Sequence, residues 1–301
     1  MAKLTDGGMD RMTFVKLDGA VDLHVHSYPC VFQRRVDDRQ AAQAAADAGM
    51  DAIMLKSHHE STVSRAYLVQ KEFPTLKIFG GIVLNQFVGG INPAAAEVAL
   101  RLGGKEVWMP TIDAAHHIEV HGARGSYDAQ SSGGGFFWGE PISAIKDGKV
   151  IDEAMVVLEL IAKHDAILGT AHLSLGEIGV LVRAARDRGV KKILITHPYF
   201  RVPAGMNVDF LKEMVRLGGI GEFGYCTISP MWAYAKLQFT KEVMDDIGFD
   251  NCVVMSDTGQ SHNPLPPEAM WLYAQGLYEK GVSAANIEKL IVKTPKALLG
   301  I

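Results

Sequence analysis

Hydrophobic and polar positions alternate along this chain in two registers. Short apolar, β-branched runs recur as GAVDLHVH, DAIMLKSH, KIFGGIVLN, EVWMPTID, AILGTAHLS, KILITHP, GIGEFGY and CVVMSDTG, each bounded by Gly, Asp or Lys, and they read as strands. Between them lie Ala-rich or amphipathic stretches such as DDRQAAQAAADAGM, SRAYLVQKEF, NPAAAEVALRLGG, LGEIGVLVRAARDRGV and NVDFLKEMVRLGG, several closed by Gly as helices commonly are. Strand and helix therefore alternate. Parallel neighbours need a crossover helix, and eight such units in 301 residues have the size of an α/β fold of the closed (β/α)8 TIM-barrel type. An open doubly wound sheet is the rival architecture, but it would gather its ligand at one switch point. Here polar, chemically competent residues end at least five of the runs, as at the mouth of a barrel.

The runs begin at near-regular intervals except between Glu106 and Ala166, where the interval roughly doubles without adding a strand. The extra segment, about residues 114–150, contains HHIEVHGARGSYDAQSSGGGFFWGEP, and long loops of this kind are lids or binding loops more often than scaffold. The expectation is one domain over residues 1–301, with this insertion covering the site and a closing helix from Ile287 to Leu299. Phe136, Phe137 and Trp138 would close over a ring or anchor the lid.

Composition changes the picture only by exclusion. With 48% hydrophobic and 21% charged residues the chain can bury a large core and is not disordered. A net charge of −4 and the lack of a Lys/Arg cluster argue against nucleic acid and leave a small molecule as the expected partner. The N-terminal stretch has no signal-peptide core and runs such as Ile78 to Leu84 are too short to cross a bilayer, so the expectation is a cytoplasmic protein away from membranes. Cys30, Cys226 and Cys252 show no CxxC spacing and read as unpaired thiols of a reducing compartment.

Candidate chemistry sits at the strand ends. His24 and His26 are two apart on the first strand, so both face the barrel interior, where two imidazoles invite a metal. His172 ends the fifth run, His197 the sixth and Asp257 the eighth, and a barrel brings all five to one mouth. Taken singly, His172 reads equally as a helix-start residue and His197 as a strand closer before Pro198; jointly they read as ligands.

These residues resemble the amidohydrolase-like metal-dependent hydrolase superfamily, whose barrels use HxH on strand 1, His on strands 5 and 6 and Asp on strand 8. VDLHVH, GTAHLS, LITHP, MSDTG and the ending TPKALLGI carry the resemblance over nearly the whole chain. LKSHHE, GGIVLN, VGGINP and VWMPTIDA look like an uncharacterised branch of it. The resemblance implies one or two divalent ions per chain, zinc first with Mn, Fe or Ni as alternatives, held by His24, His26, His172, His197 and Asp257. It also implies a homo-oligomer.

One feature departs from the pattern. Many binuclear members carry a carboxylated Lys or a Glu on strand 4, whereas here that run ends in Thr111, Ile112 and Asp113. Lys56, ending strand 2, is the candidate bridge, because a lysine in a desolvated cationic pocket can be neutral enough to take up CO2. Its alternatives are a substrate-anchoring ammonium and a strand-end lysine in solvent. His58 lies two residues beyond and shares its face, which raises a second resemblance, to polymerase-and-histidinol-phosphatase type phosphoesterases. That likeness covers mainly the first sixty residues and lacks a strand-3 carboxylate.

Further candidates are softer. Glu222 ends strand 7 and binds substrate or metal, or is structural. Arg34, Arg35 and Arg124 lie on loops where a guanidinium grips a carboxylate or imide oxygen, or simply faces water. His116, His117 and His121 follow strand 4 and read as solvated. The expected reaction is hydrolysis of an amide-like C–N bond, cyclic or linear, by a metal-activated water, with Asp257 as acid and base and Lys56, His58 or His197 near the oxyanion. Phosphoester hydrolysis, non-oxidative decarboxylation and an inactive, binding-only barrel are the alternatives, since fold does not choose among them.

Overall fold

The computed structural model describes residues 14–127, 131–132, 139–203 and 205–301. Eight strands form one sheet: β1 (Val21–His26), β2 (Ala52–Lys56), β3 (Lys77–Val83), β4 (Glu106–Trp108), β5 (Ile167–Gly169), β6 (Lys192–Thr196), β7 (Gly219–Gly224) and β8 (Cys252–Met255). They pair in parallel in sequence order. The ring is completed by a parallel bridge between Val25 and Thr258, with His26 N donating to Thr258 O at 2.8 Å and Asp257 N to His24 O at 3.0 Å. The chain is therefore a (β/α)8 barrel rather than an open sheet.

Local chemistry sets the helices that force this parallel order. Asp37 opens the helix Asp38–Asp47 with a capping box to Gln40, and Ser174 does the same for Leu175–Asp187 through Glu177. Buried apolar side chains such as Ala41, Ala45, Ile178 and Val182 turn these helices onto the sheet. Inside the barrel, the two-residue period places Asp22, His24 and His26 along one face of β1. The Asp22 carboxylate, fully buried, accepts from His24 N at 3.1 Å and from Ser256 N across the seam at 3.0 Å.

Two glycines make room for the largest buried side chain. A Cβ on Gly81 or Gly169 would sit 2.6 or 2.4 Å from Trp108 ring atoms, so the indole fills the space that their missing side chains leave. Gly259 serves the seam. Its φ is +126°, and a Cβ there would lie 1.8 Å from the His26 carbonyl oxygen, so only glycine lets the chain leave β8 so close to the end of β1.

Between β4 and the helix Asp152–Lys163 lie a short helix Ala115–His121, a pairing of Ser126–Tyr127 with Ser131–Ser132, and a hairpin of Ile145–Lys146 with Lys149–Val150. Phe136, Phe137 and Trp138 lie outside the described residues. No helix among the described residues is long and apolar enough to cross a membrane.

Replacing Gly259 with Ala is expected to destabilise the protein by about 3 kcal/mol, through backbone strain at the seam. Thermal unfolding checks this; a midpoint within about 2 °C of the parent would show that the seam tolerates a side chain there.

Candidate metal centre and active site

His24 and His26 come from β1 and Asp257 from two residues beyond β8, and one ligand atom of each lies within 4.8 Å of the others. Asp257 Oδ1 stands 3.2 Å from His24 Nε2 and 3.3 Å from His26 Nε2. The other carboxylate oxygen accepts from the buried Cys226 thiol at 2.8 Å. Asp257 (φ 48°) and His197 (φ 32°) both occupy the left-handed region. Non-glycine residues held there cost roughly 1–3 kcal/mol and gather at functional sites.

The other predicted histidines converge on the same mouth. The His172 and His197 rings are 5.2 Å apart, His58 stacks on His26 at 4.8 Å, and His172 lies 6.3 Å from His58. Burial holds His24, His26, His58 and His172 well below the usual histidine range and brings His197 to about 3. They are neutral imidazoles, the form that ligates metal.

Hydrogen bonds fix which nitrogen is bare. His117 Nε2 donates to the Ser126 carbonyl at 3.0 Å, and burial keeps this ring neutral, with its pKa at about 3, so its Nδ1 accepts. The partner 2.8 Å away is His172 Nδ1, which must therefore carry the proton, leaving His172 Nε2 with a free lone pair. His24 Nε2 lies between Lys56 Nζ at 2.9 Å and Asp257 Oδ1 at 3.2 Å, and its Nδ1 stands 3.6 Å from Glu222 Oε1.

Beneath the histidines the barrel is charged. Lys56 is 1% exposed, lies over the Trp108 ring at 5.1 Å, and faces Glu106, Glu222 and Asp257. Burial lowers the Lys56 pKa while these carboxylates oppose the fall. Burial likewise drives Glu106 well up, moves Glu222 to about 8 and Asp257 to about 6, each restrained by Lys56. Lys56 thus points inward, at the ligand group, and not into solvent.

Above them opens a cavity of about 430 Å³ lined by His24, His26, His58, His172, His197, Lys56 and Asp257 together with Arg34, Tyr127 and the aromatic residues Phe32, Phe200 and Trp232. Neutral imidazoles around a carboxylate are a donor set that suits a divalent transition ion, and the strand-end residues fit such a group.

Several sequence expectations change. Arg35 is exposed and donates to Asn263 O at 2.9 Å, away from the cavity, because its neighbour Arg34 takes the inward position. Arg124 is spent on Asp113 at 3.1 Å and on Gly139 O at 2.8 Å, tying down the insertion. Glu222 lies beneath the cavity beside His24 and does not line it. His117 is fully buried rather than solvated, and Cys226, unpaired as expected, orients Asp257. Sequence reasoning passed over Glu106, although a carboxylate inside an otherwise apolar strand was a visible signal. It also passed over Tyr127, whose hydroxyl reaches His58 Nε2 at 3.2 Å; nothing in the insertion's sequence pointed to it.

Comparison with known proteins follows the same line. Among solved structures, a putative 2-pyrone-4,6-dicarboxylic acid hydrolase from Pseudomonas putida superposes with a TM-score of 0.59 at 18% identity, covering 95% of this chain and 98% of the other. A phosphotriesterase homology protein from Escherichia coli, with phosphate in its active site, gives 0.58 at 12% identity over 95% and 100%. A 2,6-dihydroxybenzoate decarboxylase from Rhizobium gives 0.53 at 12% over 94% and 99%. At these identities the likeness is one of fold, the (β/α)8 barrel. No curated protein matches the sequence. The match that reaches the family level covers residues 19–222, from the turn before β1 into β7, and by it this chain belongs to DUF6282, a family of unknown function.

Proposed function

We propose that the protein is a metal-dependent hydrolase that cleaves an amide-like C–N bond of a small substrate. The observation that carries the reading is the His24, His26 and Asp257 cluster at the floor of an aromatic-walled cavity. His172 and His197 on the same wall would complete the ligand set, with zinc the first candidate for imidazole and carboxylate donors. A divalent ion held there supplies a water acidic near neutrality and a polarised carbonyl.

The chain's own groups do the rest. Asp257 keeps one oxygen on the Cys226 thiol and turns the other toward the histidine pair. A carboxylate whose pKa burial raises to about 6 is largely ionised at neutral pH, yet returns a proton readily. Expulsion of an amine needs both actions of one group, which favours a C–N bond over a phosphoester, whose leaving group needs less protonation. Lys56 and His58 face the same space. His58 is held between Thr111 Oγ1 at 2.8 Å and Tyr127 at 3.2 Å, and Asn85 fixes Thr111 at 2.7 Å.

Elemental analysis of protein grown with Zn or Mn and bicarbonate is expected to find metal in every chain, and His24→Ala with His26→Ala to remove it. Two ions per chain would support a binuclear site and make a carboxylated Lys56 bridge the next target, one would favour a mononuclear site with Asp257 as base, and none would end the metalloenzyme reading. On a panel of anilides, aryl phosphates and hydroxybenzoates, Asp257→Asn should lower turnover of the anilides on the order of a thousandfold while retaining most of the metal. Turnover confined to aryl phosphates or to CO2 release would replace the C–N assignment.

The metal-free protein should be most stable near pH 6.5. His24, His26, His58, His117, His172 and His197 all have depressed folded pKa values, so their contribution is present above the unfolded value of about 6.5 and is lost as pH falls. Asp257, Asp22 and Glu222 are raised to about 6, 7 and 8, so theirs is lost as pH rises through those values. Glu106, raised further still, acts in the same sense; below about 6.5 the six histidines outnumber these four carboxylates, and above it the carboxylates are opposed only by Lys56, whose lowered pKa works the other way. Unfolding midpoints of chelator-treated protein between about pH 5 and 8.5 test this, and a midpoint still climbing at the upper end would contradict it.

A further inference from the structure

We infer that the cavity selects a small ring-bearing carboxylate and that Arg34 is the residue that holds its carboxylate. This deepens the proposed hydrolase reading and rests on it for the bond that is cleaved, not for the anion that is bound.

Arg34 is only 7% exposed, yet its guanidinium lines the cavity and pairs with no carboxylate among the described residues. A buried cation without an acid is costly unless something else supplies the negative charge. Its Nε donates to Cys30 Sγ at 3.2 Å and its Nη2 lies 3.4 Å from His26 Nδ1. Of the five N–H donors in a guanidinium fork, three are therefore left without an acceptor there. The position is built rather than accidental. Arg34 bridges the backbone of Gln260 and Arg35 N donates to Gly259 O at 2.8 Å, so the loops after β1 and β8 continue the seam and deliver the side chain over the mouth.

The contact to His26 is also a weak competitor. Arginine only donates, so His26 Nδ1 must be bare to accept from it. A neutral His26 that ligates a metal through Nε2 carries its proton on Nδ1 and gives Arg34 nothing, so the guanidinium is then fully available to a ligand.

Charge and shape narrow the class. Lys56, the other cation at the site, faces Asp257, Glu222 and Glu106; Arg34 is felt by Asp257 but makes no ion pair with it, so one guanidinium is left to neutralise one negative charge. That matches a carboxylate, planar and bidentate, better than a dianionic phosphate. Beside Arg34 the Phe32 ring lies 5.5 Å from its guanidinium carbon, and Phe200 and Trp232 meet edge to face at 5.3 Å on the cavity wall. A cavity of about 430 Å³ with such walls takes a single ring with short substituents.

Calorimetric titration of chelator-treated protein with benzoate, benzamide and phenyl phosphate tests this without requiring turnover. Benzoate is expected to bind at least tenfold tighter than benzamide. Arg34→Met should abolish that preference while leaving benzamide unchanged, and Arg34→Lys should restore part of it, with unfolding midpoints confirming that both variants fold. Equal binding of benzoate and benzamide, or benzoate binding that survives Arg34→Met, would overturn the assignment, and Arg34-dependent preference for phenyl phosphate would overturn the carboxylate class. Arg34-dependent benzoate binding in a protein that takes up no metal would sustain this inference while the hydrolase reading failed.

Discussion

Everything at the mouth depends on how the last strand meets the first. A parallel barrel has one seam where residues distant in sequence must register, and here it is tight enough to forbid a Cβ at Gly259. Asp22 fastens the seam from inside by accepting from both strands, and the backbone bond from Asp257 to His24 O fixes the carboxylate's height against the HxH pair. The cost is local strain at Asp257, tolerated because the surrounding pairing leaves the chain no alternative. Ligand geometry is thus a property of barrel closure, and it would not survive in an open sheet of the same strands.

Below the seam, burial decides protonation. A lysine among three carboxylates, all out of water, forms a closed electrostatic unit in which each member is shifted from its solution behaviour and restrained by the others. Above it, the Ser126 carbonyl takes the His117 proton on Nε2, so His117 Nδ1 accepts from His172 and leaves His172 Nε2 bare.

Much of this was legible in the sequence because it follows from period and position. Alternating strand and helix runs forced the parallel order, and residues two apart on β1 had to share a face, so His24, His26, His172, His197 and Asp257 could be gathered before any coordinates. What escaped depends on contacts that no period encodes. Neighbouring Arg34 and Arg35 look equivalent until the loop pairing with Gly259 and Gln260 turns one inward. His117 looked solvated because it shares one loop segment with His116 and His121, whereas the fold lays it against His172. Glu106 stood out as a charge in an apolar strand, but the space it occupies exists because Gly169, far along the chain, has no side chain.

Tyr127 belongs to the stretch between β4 and β5 that the β/α repetition does not dictate, and it reaches the site through a hydrogen bond to His58 and a ring contact with His172. The ligand cluster hangs from the strands and the seam, while part of the cavity wall hangs from an insertion between β4 and β5. Because His117 and Tyr127 of that insertion also reach His172 and His58, changes in it reshape the entrance and the histidine array together. One chain thus couples a cluster hung from the scaffold to a doorway grafted on its rim, and the hinge between the two is a pair of imidazoles, His58 and His172.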